Sequence, residues 1–229
     1  MKKKTVVISL GGSIVVPEDG RVDHLFLKKF KEIILKNIRK GTRFIIVVGG
    51  GRTCRVYQGA AKKVGKMTPE DMDWIGVHST RLNAHLLRTI FRAWAHPRIN
   101  KNPSKIEKFD EPILIGAGWK PGWSTDYDAV KLAIGYGATE VINLSNIDYV
   151  FDKDPRKHKD AKKIKETSWK EFVKIVGDKW IPGANLPFDP IASRLAKKNG
   201  LTVAVMNGKN LNNLEKYLAG GKFRGTIIS

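Results

Sequence analysis

Short apolar runs rich in β-branched residues alternate along this chain with longer segments of helical period, and this alternation constrains the fold more than any other feature. A strand buried on both faces reads as an unbroken Val/Ile/Leu run, and parallel strands joined by crossover helices generate the alternation. Residues 4–10 and 43–48 are such runs, and residues 112–115, 140–144 and 202–206 are three more. Between the first two, residues 23–40 place Leu25, Leu27, Phe30, Ile33, Ile34 and Ile38 along one side of an amphipathic helix that Gly41 ends. The pattern predicts the α/β class.

Other segments fit the same plan. Residues 49–65 read as a helix opened by Gly49-Gly50-Gly51 and carrying Val56 and Tyr57. Thr68-Pro69-Glu70-Asp71 supplies a hydroxyl cap, a first-turn proline and two acids against the helix dipole, so a long helix starts there and runs to about residue 94. Residues 116–123 form a Gly/Pro/Trp loop ahead of a helix over 129–134, and residues 145–165 are polar and basic without period, a long loop or short hairpin. Ser168-Trp169-Lys170-Glu171 opens a helix that ends near Gly177, Asp189-Pro190 opens another that Asn199-Gly200 closes, and a short helix at 211–218 precedes a last strand near Thr226. At 229 residues and 41% hydrophobic the chain can build one substantial core, so a single domain over 1–229 is expected.

No window reaches the run of about 18 apolar residues that a membrane span needs, and the lysines at 2–4 lead straight into a strand, so neither a membrane partner nor a leader is expected. The single cysteine, Cys54, excludes an internal disulfide, and no Cys/His spacing suits zinc, which points to a reducing, cytoplasmic setting. A formal charge of +20 would suit a nucleic-acid binder. The cations are scattered, however, over helix faces (Lys28, Lys29, Lys31, Lys36, Arg39, Lys40) and one loop, without an aromatic sheet motif or helix-turn-helix. No specific nucleic-acid partner is expected, and attraction for phosphorylated ligands is.

Ligands of open α/β sheets lie beyond the carboxyl ends of the strands. The loops there are unusual: Gly11-Gly12-Ser13, Gly49-Gly50-Gly51, residues 116–125, and Ser145-Asn146-Ile147-Asp148. Consecutive glycines between strand and helix let the backbone approach an anion and aim N–H groups at it. One such turn is ordinary punctuation; several on one edge suggest a polyphosphate site. The P-loop, the dinucleotide G-x-G-x-x-G and the kinase H-R-D patterns are missing. Phosphoryl transfer would then rest on backbone amides, a few cations and a metal held by carboxylates.

The order Leu10-Gly11-Gly12-Ser13, Val47-Val48-Gly49-Gly50-Gly51-Arg52, Asp73 with Thr80-Arg81-Leu82-Asn83-Ala84, Pro121-Gly122-Trp123-Ser124-Thr125-Asp126, Asn146-Ile147-Asp148 with Asp154-Pro155, and Phe188-Asp189-Pro190 resembles the archaeal-type uridylate kinases of the amino-acid-kinase family, from Thr5 to Thr226. The resemblance implies a three-layer αβα sandwich with a mainly parallel central sheet. It also implies an acceptor-side lobe of about 1–144, an ATP-side lobe of about 145–229, ATP with Mg2+ and UMP as ligands, and a homohexamer built from dimers. Position by position, Gly12 and Ser13 would meet the transferred phosphate, Gly50 the UMP side, and Gly51 and Arg55 the ATP side. Asp73 would hold the uridine or ribose. Trp119, Lys120, Pro121, Gly122, Trp123, Ser124 and Thr125 would wrap the UMP phosphate, and Ser145, Asn146, Phe151 and Asp154 would line the adenosine site.

Asp148 and Asp189 are candidates for holding Mg2+ or orienting cations, because charge developing on a transferred phosphoryl needs a counter-charge. Plainer readings stand beside these: an Asx turn for Asp148, a helix cap before Pro190 for Asp189, a surface charge for Arg55, and packing or a subunit contact for Arg81 and Asn83. His78 and His85 read as packing or surface residues, and Cys54 as inert. The chain departs from the family at three places. Ser9 stands where many members carry a lysine, leaving Lys120 and Arg52 as candidate cations; Tyr149 follows Asp148 where glycine is usual; and the acceptor loop carries Trp119 and Trp123, which would stack on a base or restrict the pocket. Two other readings follow from these departures: a relative acting on another small phosphate or carboxylate, and a binder of nucleotide or oxyanion without turnover.

Overall fold

A computed structural model describes residues 4–177 and 186–229; the leading lysines at 2 and 3 lie outside them. In chain order it holds β1 (Thr5–Leu10), α1 (Gly12–Val15), α2 (His24–Ile38), β2 (Arg43–Val48), α3 (Gly51–Val64), α4 (Pro69–Ile90), β3 (Ile113–Gly116), α5 (Thr125–Gly135) and β4 (Glu140–Ser145). There follow β5 (Val150–Phe151), β6 (Lys163–Ile164), β7 (Glu166–Thr167), α6 (Trp169–Val176), α7 (Pro190–Lys198), β8 (Thr202–Asn207), α8 (Leu211–Leu218) and β9 (Thr226–Ile228).

The central sheet runs β3-β2-β1-β4-β8-β9-β7. Its pairings from β3 to β8 are parallel, β9 is antiparallel to β8, and β7 is parallel to β9. The unbroken apolar runs have a simple cause. Val6, Ile8 and Leu10 enter a core on one face with Phe30, Leu87 and Leu214, while Val7, Ile45 and Val47 enter a core on the other with Leu132, Phe172 and Ala196. Both faces are covered by helices, so a strand cannot alternate apolar with polar. This is the three-layer, mainly parallel arrangement expected above.

Several boundaries differ from the sequence reading. Leu25 is 63% exposed and Phe26 is buried in its place, because the buried stripe of α2 runs through Phe26, Leu27, Phe30, Ile33, Ile34 and Asn37. The long helix stops at Ile90, and the chain then turns back to lie along β3, with His96 N–H on the Ile113 carbonyl at 2.9 Å and Asn100 N–H on that of Ile115 at 2.8 Å. This segment covers an edge that would otherwise offer unpaired backbone groups. The helix expected over 129–134 begins earlier, at Thr125, capped by Ser124, whose Oγ accepts from Tyr127 N–H at 3.1 Å. The aperiodic stretch after β4 contains the antiparallel β5–β6 pair.

Candidate active site

Register places the carboxyl ends of the strands on one rim: Leu10 lies opposite Val48 and Leu144, Val47 opposite Gly116, and Ser145 opposite Asn207. The first two loops touch backbone to backbone. A Cβ on Gly12 would lie 2.5 Å from the Gly49 carbonyl carbon, one on Gly11 would lie 2.8 Å from the Leu144 oxygen, and Gly51 has φ +63°. The glycines are thus required twice, for loop-on-loop packing and for the left-handed turn at Gly51. Asn83 fixes the pair from α4, its buried amide donating to the carbonyls of Gly49 at 2.8 Å and Gly50 at 3.2 Å. A further turn, Asn207-Gly208-Lys209, leaves β8 at the same rim, with Gly208 N–H on the Ser145 carbonyl at 2.8 Å. It escaped the sequence reading, although Asn-Gly after an apolar run is a turn signal.

These loops open on one cavity of about 650 Å³. Its wall brings together Ser13, Gly50, Gly51, Arg52, Arg55, Asp73, Lys120, Trp123, Ser124, Thr125 and Asn146 from the residues singled out in the sequence, together with Glu18, Cys54 and Thr80. The amino ends of α3 and α5 are both represented there, by Gly51 and Thr125, and free first-turn N–H groups favour anions. Burial pushes the Cys54 thiol up against the pull of Arg55, which suits an inert wall residue.

The acceptor-side loop is tied down at each step. Gly118 N–H donates to Thr80 Oγ1 at 2.8 Å, Arg81 Nη2 donates to the Trp119 carbonyl at 2.8 Å, and Gly122 N–H donates to Asp73 Oδ2 at 2.8 Å. Pro121 precedes that last contact. The Trp123 ring stacks 6.0 Å from Trp119 and 4.1 Å from Tyr127, and Lys120 Nζ lies 4.4 Å from the Trp119 centroid. Arg81 and Asn83 therefore hold the two loops that flank the cavity, a sharper role than general helix packing.

Behind Thr125 lies a carboxylate network that sequence reasoning missed. Asp126 Oδ1 accepts from Ser9 Oγ at 2.8 Å and from Asn143 Nδ2 at 3.3 Å, and Asp126 Oδ2 accepts from Asp189 N–H at 3.3 Å. Asp128 Oδ2 accepts from Trp119 N–H at 3.1 Å. Burial is the main cause that raises Asp126 to about 6 and Asp128 to about 8, and it pushes Asp189 up as well. Asp128 Oδ1 is buried without a hydrogen-bond partner among the described residues, while the Asp189 carboxyl also takes a bond from the Ser124 side chain. Ser9, where a lysine would have stood, is buried and spends its hydroxyl on Asp126. The contacts join positions as far as 117 residues apart, so no local pattern announces them.

On the other side of the rim the expected residues are more dispersed. Asp189 caps α7, accepting from Ala192 N–H at 2.6 Å, as its plainer reading had it. Asp148 pairs with Arg224 at 2.8 Å and accepts from Asn207 Nδ2 at 3.2 Å. Tyr149 lies between two cations, Lys163 Nζ at 5.5 Å and Arg224 at 5.9 Å from its ring. Ser145 ends β4 beside Asn146, and Phe151 sits half-buried on β5. Asp154 is clamped by Arg156, whose side-chain bonds hold its carboxyl well below the usual range. Of these donor-side candidates only Asn146 joins the cavity wall.

The chain is similar over nearly its whole length to known proteins. A uridylate kinase of Methanocorpusculum labreanum is 32% identical over 97% of this chain and 94% of its own length, and one of Methanococcus aeolicus is 34% identical over 98% of this chain and 99% of its own. The crystal structure of the uridylate kinase from Archaeoglobus fulgidus superposes with a TM-score of 0.80 at 28% identity, covering 98% of this chain and 99% of that one. Residues 4–207 match the sequence model of the Amino acid kinase family. With the family model matched over most of its length and relatives above 30% identical across nearly all of it, this chain belongs to the amino acid kinase family.

Proposed function

We propose that this chain transfers the γ-phosphoryl group of ATP to UMP, giving ADP and UDP. The observation that carries this reading is the convergence of the Gly12, Gly50 and Thr125 loops around one cavity large enough for phosphates from two nucleotides to meet. Transfer between two phosphorylated ligands needs alignment and charge stabilisation more than covalent chemistry. The acceptor side, within about 1–144, would contribute Gly50, Asp73 and the Trp119–Thr125 loop. Asp73 Oδ2 is committed to Gly122, which leaves its other oxygen for a ribose hydroxyl. Ser124 Oγ accepts from Tyr127 N–H and also bonds the Asp189 carboxyl, so donating to the acceptor phosphate would mean exchanging that carboxylate for it. The donor side, within about 145–229, would use Ser145, Asn146, Phe151 and Asp154 around the adenosine, with Gly12, Ser13, Gly51 and Arg55 on the polyphosphate.

The described residues hold no group of three or more His, Cys, Asp or Glu side chains placed to bind a metal, and Asp148 is already paired with Arg224. Mg2+ would enter with the ATP phosphates as part of the substrate. The same reading extends to a cytoplasmic enzyme assembled as a homohexamer. Its contacts would use the faces of α3 and α4 left uncovered, where Tyr57 is 65% and Leu82 62% exposed. Purified protein with Mg-ATP is expected to release ADP with UMP and to form UDP, more slowly or not at all with CMP, AMP or GMP. Release only with a non-nucleotide acceptor, or no diphosphate from any of the four, would overturn the assignment.

A further inference from the structure

The cavity that takes the phosphates contains an anion of its own. Glu18, in the strap between α1 and α2, places Oε1 2.5 Å from Arg55 Nη2 and Oε2 2.9 Å from Arg52 Nη1. One oxygen serves each guanidinium, as a bridging phosphate would, and all three residues are on the cavity wall. The strap is anchored independently of this bridge: Arg52 N–H donates to the Val16 carbonyl at 3.0 Å. Among the described residues that line the cavity the cations are Arg52, Arg55 and Lys120, and Lys120 rests on the Trp119 ring. No lysine stands at Ser9, so the bridge engages two of the three cations available to neutralise a substrate.

We propose that Glu18 is a displaceable internal counter-anion, and that Arg52 joins Arg55 as the cation pair that receives a nucleotide phosphate when Glu18 gives way. This rests on the kinase reading of the cavity and names two residues beyond those assigned to it. The Glu18 side chain is 73% exposed and the arginines 39% and 45%, so the bridge is weak and screened. A phosphate monoester carries about −2 near neutral pH against −1 for the carboxylate, and it offers three acceptor oxygens. Exchange therefore favours the phosphate, and the carboxylate sets how strongly the pair must be bid for. Anions without enough charge to displace Glu18 are rejected at this seat.

The opposite possibility is that Glu18 is a strut that keeps both arginines aimed at the substrate, and the two roles predict opposite signs. Binding of UMP alone and of a non-hydrolysable ATP analogue alone would be measured by calorimetry for the full chain and for E18Q, R52A and E18Q/R52A, with circular dichroism as the control for folding. A counter-anion predicts that E18Q tightens one of the two nucleotides about two- to five-fold, since an exposed pair contributes little. R52A should weaken the same nucleotide, and E18Q should gain less in the R52A background. Which nucleotide responds identifies the phosphate. Weaker binding of that nucleotide by E18Q, or unchanged binding of both, overturns the proposal while leaving the kinase reading intact. Failure of the wild-type chain to bind either nucleotide removes both.

Discussion

Asp128 illustrates how much a single side chain behind the cavity can control. Its carboxyl is 1% exposed, takes the Trp119 N–H on one oxygen and has no partner among the described residues on the other. Burial raises it to about 8, so the folded protein holds a proton there that the unfolded chain releases near pH 4. The sign is therefore opposite to that of a salt-bridged aspartate. This group's contribution to stability is complete below about pH 4, falls as pH rises from about 4 to about 8, and is flat above. Asp126, at about 6, adds a smaller loss over the lower part of that window. Asp128→Asn should flatten the decline in melting temperature between pH 5 and 8 to about half the wild-type drop or less. Parallel curves for the two proteins would show that Asp128 is ionised in the folded state. None of this was legible in the sequence: Asp126 was visible only as the end of the Pro-Gly-Trp-Ser-Thr-Asp motif, Asp128 not at all, and Ser9 only as a missing lysine. Tertiary contacts between β1, β4, α5 and the start of α7 create the network.

Elements differ in how they depend on the chain around them. The strands were legible because a run covered on both faces must be apolar throughout, and their glycine exits because loop-on-loop contact excludes a Cβ. Elements of four residues or fewer, such as α1, β5, β6 and β7, carry too little sequence for a period and depend on pairing that only the fold supplies. The face of α2 was displaced from Leu25 to Phe26 because periodicity gives a stripe's spacing better than its centre. On the donor side, resemblance picked out Asp148, Phe151 and Asp154; the first pairs with Arg224, the last with Arg156, and Phe151 lies on β5 paired with β6, beside rather than on the wall of this cavity. Helix α3 is the least covered of the described helices: none of its residues is buried, and it exposes Val56, Tyr57 and Val64. On α4, Leu82 is exposed as well. If these faces meet their counterparts in other copies, wild-type protein should show an oligomeric mass by light scattering and Tyr57→Glu with Leu82→Glu a smaller one. A monomeric wild type would contradict the assembly.

For the molecule as a whole, the sheet does one thing that decides the rest: it delivers parallel strands to a common rim, so that loops far apart in sequence share one cavity. The formal charge of +20 then has a local meaning. On the proposed reading it would raise the concentration of phosphorylated ligands near the protein, while Arg52, Arg55, Lys120 and helix amino ends would select among them inside the cavity. The carboxylates behind the rim add no positive charge, so on the proposed reading transfer would depend on the arginines, the backbone N–H groups and the Mg2+ that would accompany ATP. The most direct test is a crystal structure with UMP and a non-hydrolysable ATP analogue bound together. The account predicts the UMP phosphate on Gly50 and the Ser124–Thr125 amides, and the terminal phosphate of the analogue facing it from Gly12, Ser13 and Arg55. Nucleotides seated away from the glycine rim, or two ligands whose phosphates point apart, would contradict it.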